Sequence, residues 1–342
     1  MKVNTLGLSA LALGLTVSGC AGLKLTLLNA SARRPSNIAM YFTVDRNNGQ
    51  PVGGLTSERF TVYEDDRPVS ALESRQTILN PQVTAVHYTL LLMDMSGSVT
   101  ESGQVPVLQE AARAFVERVE RQQRVAVYAF DGSATITPIV PFTDSAGSAA
   151  RGVNALASFR PRDPSTNLHG AVVAGIQQLT RSLAAAPQPL KFGTLVVFTD
   201  GTDRAARVTR EQMMESVRAS EHSVFSIGVG AEVDPGELRQ IGRTGTVLQT
   251  DPAAVRAAFD QIAQQIEQFT QRYYLFSYCS PARAGAHRVR IEANTPDGAR
   301  GGLEYQFDAT GFAPNCDPNT PPNFDTTRGE AGPGATTATP SN

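Results

Sequence analysis

Five short apolar runs, Tyr88 to Met93, Val125 to Phe130, Thr194 to Thr199, Val224 to Val229 and Thr246 to Leu248, alternate with stretches of helical character. A strand that is apolar without alternation is buried on both faces, and a series of such strands separated by helices builds a parallel sheet covered on both sides. Helices are expected near 104–121, 146–158, 168–184, 209–220 and 252–271. In the last of these, Asp251 is a good N-cap and Pro252 suits the first turn, while Val255, Phe259, Ile262, Ile266 and Phe269 recur at spacings of three and four. One face of that helix is apolar and belongs on the sheet. The fold class is therefore α/β, a Rossmann-like, doubly wound and mostly parallel sheet.

The flanks have a different texture. From Ile38 to about Val86, and again in Arg272 to Cys279, His287 to Ala293 and Leu303 to Phe307, short β-like runs are punctuated by turn residues such as Asn47-Asn48-Gly49 and Pro296-Asp297-Gly298. Two layouts accommodate this: one flanking antiparallel β unit built from N- and C-terminal segments, interrupted by the α/β part, or two separate β units. The first is preferred. Beyond Phe312 the chain is rich in Pro, Thr, Asn and Gly and is expected to be a disordered tail over 312–342. A length of 342 residues with 41% hydrophobic residues suits about two domains with a sizeable core. A net charge of −2 and a pI near 6.1, with no Lys/Arg run, leave no basic field for nucleic acid.

Met1-Lys2 precedes a short apolar stretch, Leu6 to Val17, that is too short to span a bilayer but has the size of a signal-peptide core. It ends in Val17-Ser18-Gly19-Cys20, which resembles a bacterial lipobox, in which the Cys is acylated; a plain secretory signal with an incidental Cys is the other reading. Gly22 rather than Asp in the segment after Cys20 resembles outer-membrane sorting in Gram-negative bacteria. The expected organisation is a lipoprotein signal peptide (1–19), a tether (20–36), an N-terminal β unit (37–85), the α/β domain (86–271), C-terminal strands (272–311) and the tail. With Cys20 lipidated, Cys279 and Cys316 remain as an even pair in a disulfide-permissive compartment. They are either bonded to each other or two unrelated thiols, and the bond is preferred.

The chemistry gathers at strand ends. Leu90-Leu-Leu-Met-Asp94-Met-Ser96-Gly-Ser98 puts one carboxylate and two hydroxyls on a turn leaving an apolar strand, a donor set suited to a hard cation such as Mg²⁺. Alone the pattern also fits a polar turn capping a helix. Thr166 lies just before an expected helix, and Asp200 ends the Thr194 run. In a parallel α/β sheet such strand ends share one edge, where ligands bind.

Over roughly residues 86–271 the chain resembles the von Willebrand factor type A (VWA) domain family. Its metal-ion-dependent adhesion site (MIDAS) is D-x-S-x-S plus a Thr and an Asp, matched by Asp94, Ser96, Ser98, Thr166 and Asp200. The resemblance implies that the hydroxyls hold the ion directly, that the carboxylates act directly or through water, and that an acidic side chain of a protein ligand completes the shell. It implies Mg²⁺, or Mn²⁺ or Ca²⁺, as the ion. Val52 to Leu55, Phe60 to Asp65 and Tyr274 to Tyr278 resemble segments that flank this domain in secreted bacterial proteins. Glu101, His169 and Asp203 are candidates for the rim that a ligand touches; as ordinary surface residues, Glu101 would favour a helix start, His169 would be exposed on its helix and Asp203 solvated, with Arg204, in its loop. Asp131 reads as a turn residue with Gly132.

The function expected is a membrane-anchored, non-enzymatic module that binds a protein ligand through a divalent cation in the cell envelope, probing for an exposed acidic side chain. The alternative is an envelope scaffold whose metal only stabilises the loops. A metal-assisted hydrolase ranks last, because no nucleophile and base set with motif context is present.

Overall fold

A computed structural model describes residues 22–143 and 147–324. The signal segment 1–19, the lipidation candidate Cys20 and the last part of the expected tail lie outside the described residues.

The chain begins with five strands, β1 (Leu23–Arg33), β2 (Asn37–Arg46), β3 (Phe60–Glu64), β4 (Arg67–Pro68) and β5 (Thr77–Leu79). Then β6 (Ala85–Asp94), α1 (Gly97–Glu101), α2 (Val105–Val119), β7 (Arg124–Phe130), β8 (Thr137–Val140), α3 (Ser148–Gly152) and α4 (Leu168–Ala184) follow. After them come β9 (Leu190–Thr199), α5 (Arg210–Ala219), β10 (Ser223–Val229), α6 (Pro235–Ile241), β11 (Gly245–Gln249) and α7 (Val255–Gln271). Three strands close the fold, β12 (Tyr273–Cys279), β13 (Ala286–Asn294) and β14 (Arg300–Asp308).

The central sheet has six strands in the order β11-β10-β9-β6-β7-β8, all parallel except β8. Its strands read as unbroken apolar runs because both faces are covered. On one face α2 and α7 bury Phe115, Val116, Phe259, Ile262 and Ile266 against Leu91, Met93 and Phe198. On the other α4, α5 and α6 bury Val172, Leu179, Met213 and Leu238 against Leu90, Leu92 and Val197. Each such side chain contributes about 1.5–3 kcal/mol on burial. The sequence missed α6, a short helix capped by Asp234, and the antiparallel edge strand β8. The last helix starts one turn later than its periodicity suggests: Asp251 accepts the Ala253 N–H at 2.9 Å and caps a 3₁₀ turn over Pro252–Ala254 that precedes α7.

Both ends of the chain contribute to each of two antiparallel sheets, β1-β2-β12-β5 and β14-β13-β3-β4. Their inner faces share one core that includes Phe42, Phe60, Val62, Tyr274, Phe276, Val289 and Ile291. The flanking β unit is thus built from both ends, with the six-stranded layer inserted between β5 and β12. The two sheets meet where β1 runs beside β14; Gly301 is required there, since a Cβ would overlap the Leu23 carbonyl.

Two expectations are corrected. The segment 20–36, expected as a tether, is largely strand β1, paired with β2 from Leu23↔Arg46 to Arg33↔Asn37. Its Leu23 and Leu25 are buried, and a chain with alternating apolar residues beside an open strand edge gains both core contacts and ladder bonds. The segment from Phe312, expected to be disordered, is packed as far as Phe324. The Cys279–Cys316 disulfide holds it, the Ala313 N–H donates to the Pro35 carbonyl at 2.7 Å, and Phe324 is buried against Tyr41. Few apolar residues suffice when a crosslink shortens the free chain.

The six-stranded layer joins the β unit through its amino-terminal strand ends. His87 stacks on Phe192, with ring centroids 4.9 Å apart, and both pack on Tyr273 beside Tyr41. Arg272, between α7 and β12, lies 3.9 Å from the Phe269 ring and pairs with Asp45 at 3.0 Å.

Candidate metal site at the carboxyl edge

At the opposite edge of the same sheet, β6 and β9 are parallel neighbours in the register Met93↔Phe198, so Asp94 and Thr199 end side by side. The Thr199 hydroxyl donates to Asp94 Oδ2 at 2.7 Å, and the Ser96 N–H donates to Asp94 Oδ1 at 3.0 Å. That second bond is an Asx turn, which bends the chain out of β6 and into α1. Ser96 Oγ lies 3.2 Å from Ser98 Oγ, and Ser98 donates to Asp200 Oδ1 at 2.9 Å. A continuous run of oxygens therefore crosses from the end of β6 to the end of β9. Asp94 and Ser96 are fully buried, Asp200 is half-buried and Ser98 is exposed, so the run opens outward at one end only.

Thr166 arrives on a third loop. The Gly97 N–H donates to the Pro164 carbonyl at 2.8 Å, and a Cβ on Gly97 would crowd Pro164, so the glycine permits the two loops to approach. Asp131 does more than form a turn: its buried carboxylate accepts the N–H groups of Ser133 and Arg162, each at 2.7 Å, and its carbonyl accepts that of Asn167. It fastens the 162–167 segment to the end of β7. The signal was a carboxylate at a strand end on the ligand edge. Thr199 carried no signal of its own, because a hydroxyl inside an apolar run reads as strand.

Of the three expected rim residues, Glu101 is exposed. The other two are corrected: the side chains of His169 and Asp203 are only 12% and 3% exposed and are turned toward each other. The His169 ring reaches the Val208 carbonyl and Glu237, so burial by neighbouring loops, not helix position, fixes its surroundings.

The electrostatics are those of a site short of positive charge. Burial raises the Asp94 pKa to about 6, against the bonds from Ser96 and Thr199, and the charge of Asp200 adds to the rise. Asp200 is also raised, chiefly by burial and secondarily by Glu232, against its bond from Ser98, a backbone hydrogen bond and the charge of Arg204. Arg204, the nearby cation, is paired with Glu232. Among the described residues no Lys, Arg or His forms an ion pair with Asp94 or Asp200. Two carboxylates and neutral hydroxyls with unbalanced negative charge fit a hard divalent cation.

The von Willebrand factor type A domain model matches residues 89–202, from within β6 to the Asp200 loop, so this part of the chain is similar to a VWA domain. No curated protein matches the chain. Among solved structures, a von Willebrand factor type A protein from Catenulispora acidiphila is 11% identical, with a TM-score of 0.46 over 84% of this chain and 74% of that one. The VWA domain of the type V pili tip protein Mfa5 from Porphyromonas gingivalis is 12% identical, with a TM-score of 0.43 over 55% of this chain and 97% of that one. Proximal thread matrix protein 1 from the mussel byssus, described with a zinc-occupied MIDAS motif, is 14% identical, with a TM-score of 0.44 over 54% of this chain and 48% of that one.

Proposed function

We propose that Asp94, Ser96, Ser98, Thr166 and Asp200 hold a divalent cation, Mg²⁺ or else Mn²⁺ or Ca²⁺, and that the protein uses it to capture a protein partner with an exposed Glu or Asp. The observation that carries this reading is the oxygen run from Asp94 to Asp200, with two carboxylates whose pKa values burial raises and which form no ion pair among the described residues. Once bound, the ion supplies a positive centre with room for one further acidic ligand. Asp94, held by Thr199 and the Ser96 N–H, fixes the inner position; Ser98 and Asp200 define the outer one. Neutral hydroxyls leave the ion's charge largely unquenched, which favours an anionic partner.

The chain is a binding module rather than an enzyme in this reading. His169, the histidine in these loops, commits both ring nitrogens to Val208 and Glu237 and so is not free to act as a base at the oxygen run. Lipidation of Cys20 would place the module in the envelope on a membrane, by the lipobox resemblance in the outer one, and among the described residues no helix is long and apolar enough to cross a bilayer.

The test is capture of envelope proteins by the wild type with and without chelator, and by Asp94→Ala. Capture of an acidic partner that needs both the metal and Asp94 is the expected result. Capture indifferent to chelator rejects metal-mediated binding and leaves the scaffold reading.

A further inference from the structure

His169 is the second residue of α4, three positions after Thr166, and it bonds to Asp203 and Val208 from the loop after β9 and to Glu237 from α6. We infer that His169 is a positioning residue of the cation site: its doubly protonated ring clamps the loop that carries Asp200 to the helix start that carries Thr166. This rests on the metal-binding reading above.

Geometry sets the protonation. Nδ1 lies 3.1 Å from the Val208 carbonyl, which can only accept, and 3.2 Å from Asp203 Oδ2; Nε2 lies 2.9 Å from Glu237 Oε1. A neutral imidazole has one N–H and cannot donate on both sides, whereas imidazolium can. The charged groups that face it are Asp203 from the loop after β9 and Glu237 from α6, with Arg210 of α5 pairing to Glu237 at 3.2 Å from behind. Burial opposes the charged ring, but the Glu237 bond and the charges of Asp203 and Glu237 outweigh it and hold the pKa above the ordinary value.

The clamp acts at two levels. The main-chain N–H of His169 also donates to Asp203 Oδ2 at 3.0 Å, so both backbone and ring of α4 grip one carboxylate. Asp203 Oδ1 in turn accepts the N–H of Ala206, a residue with φ of 51°, a region unfavourable for a side chain with a Cβ. Between these grips, the N–H groups of Arg204 and Ala205 donate to the Thr166 carbonyl at 2.9 and 3.0 Å. Thr166 and Asp200 thus belong to one rigid piece while the clamp is closed. If it is released, the strain at Ala206 pulls the loop away and the two ligands separate.

The experiment combines two readouts on the full chain. Calorimetric titration with Mn²⁺ alone compares wild type, His169→Ala and His169→Gln, with Asp94→Ala as the non-binding control. Hydrogen exchange of the Arg204 and Ala205 amides is read without metal, corrected for intrinsic rates. For His169→Ala the expected result is Mn²⁺ affinity about tenfold weaker, as for other loss of support behind a metal ligand, and about tenfold faster exchange at those two amides with the β6 and β9 amides unchanged. His169→Gln, which keeps one donor, recovers part of both. Wild-type affinity declines as pH rises through the raised His169 pKa, and His169→Ala lacks that decline. Unchanged exchange at Arg204 and Ala205, or faster exchange spread over the whole chain, overturns the clamp. If the wild type binds no Mn²⁺, the metal reading falls and the exchange result still decides the clamp.

Discussion

The two edges of the six-stranded sheet are treated in opposite ways. The carboxyl edge ends in hydroxyls and carboxylates that bond to one another across loops and open to solvent at Ser98. The amino edge ends in His87 and Phe192, which are stacked and closed over by Tyr273, Tyr41 and Phe324 from the β unit. One edge holds carboxylates that form no ion pair among the described residues, and the other is lined by stacked rings with its one described ion pair, Arg272 with Asp45, beside them. Parallel strands impose this asymmetry, because every strand delivers its end to the same side; an attachment made at the amino edge leaves all the carboxyl-edge loops free for binding.

The contrast can be broken from either side, and the largest effect is expected at the aromatic edge. Tyr41→Ala, which empties a fully buried position, should cost about 3–5 kcal/mol in denaturant unfolding. Mn²⁺ affinity of the fraction still folded should not change; a parallel loss would mean that the edges are coupled. At the other edge, Asp94→Ala should weaken Mn²⁺ binding by roughly a hundredfold or more and abolish stabilisation by excess metal.

A third effect has opposite signs at the two ends of β6. His87 is pushed by burial from 6.5 to about 4, so the unfolded chain binds the extra proton and the His87 contribution is lost as pH falls through that window. Asp94 is raised from 3.8 to about 6, so without metal the folded chain binds the extra proton, and its contribution is lost as pH rises through nearly the same window. Each is worth about 3 kcal/mol, and in the metal-free wild type they largely offset one another. Unfolding titrations from pH 4 to 6.5 should therefore show stability falling with pH in His87→Phe and rising with pH in Asp94→Asn. Parallel curves in the two variants would reject the contrast. The smallest expected effect is a gain: the Tyr41 hydroxyl is buried without a hydrogen-bond partner among the described residues, so Tyr41→Phe should raise stability by about 1 kcal/mol.

These two edges were not equally legible in the sequence. Continuous apolar runs betray doubly covered strands, and D-x-S-x-S followed by Thr166 and Asp200 betrays the oxygen run, since both patterns are local or fall at strand ends. Thr199, Asp131 and the His169 clamp depend on which strands become neighbours, and no spacing along the chain encodes that. The aromatic junction was hidden for the same reason: His87, Phe192, Tyr273 and Phe324 come from four distant segments. Strand β1 was read as a tether because proximity to Cys20 outweighed the alternation from Leu23, and α6 was missed although Asp234-Pro235 announces a helix start.

The insertion between β5 and β12 has a mechanical side. Those strands are paired with each other, Leu275 opposite Leu79, so the two connections of the six-stranded layer leave the β unit side by side. Tension on a partner held at the carboxyl edge would pass down β6 and α7 and arrive at adjacent strands of one sheet. The β12 side has the stronger footing: it lies inside the sheet between β2 and β5, while β5 is a three-residue edge strand. Under force β5 should peel first, and the load would then run through β12 alone, whose far end at Cys279 is covalently closed to Cys316.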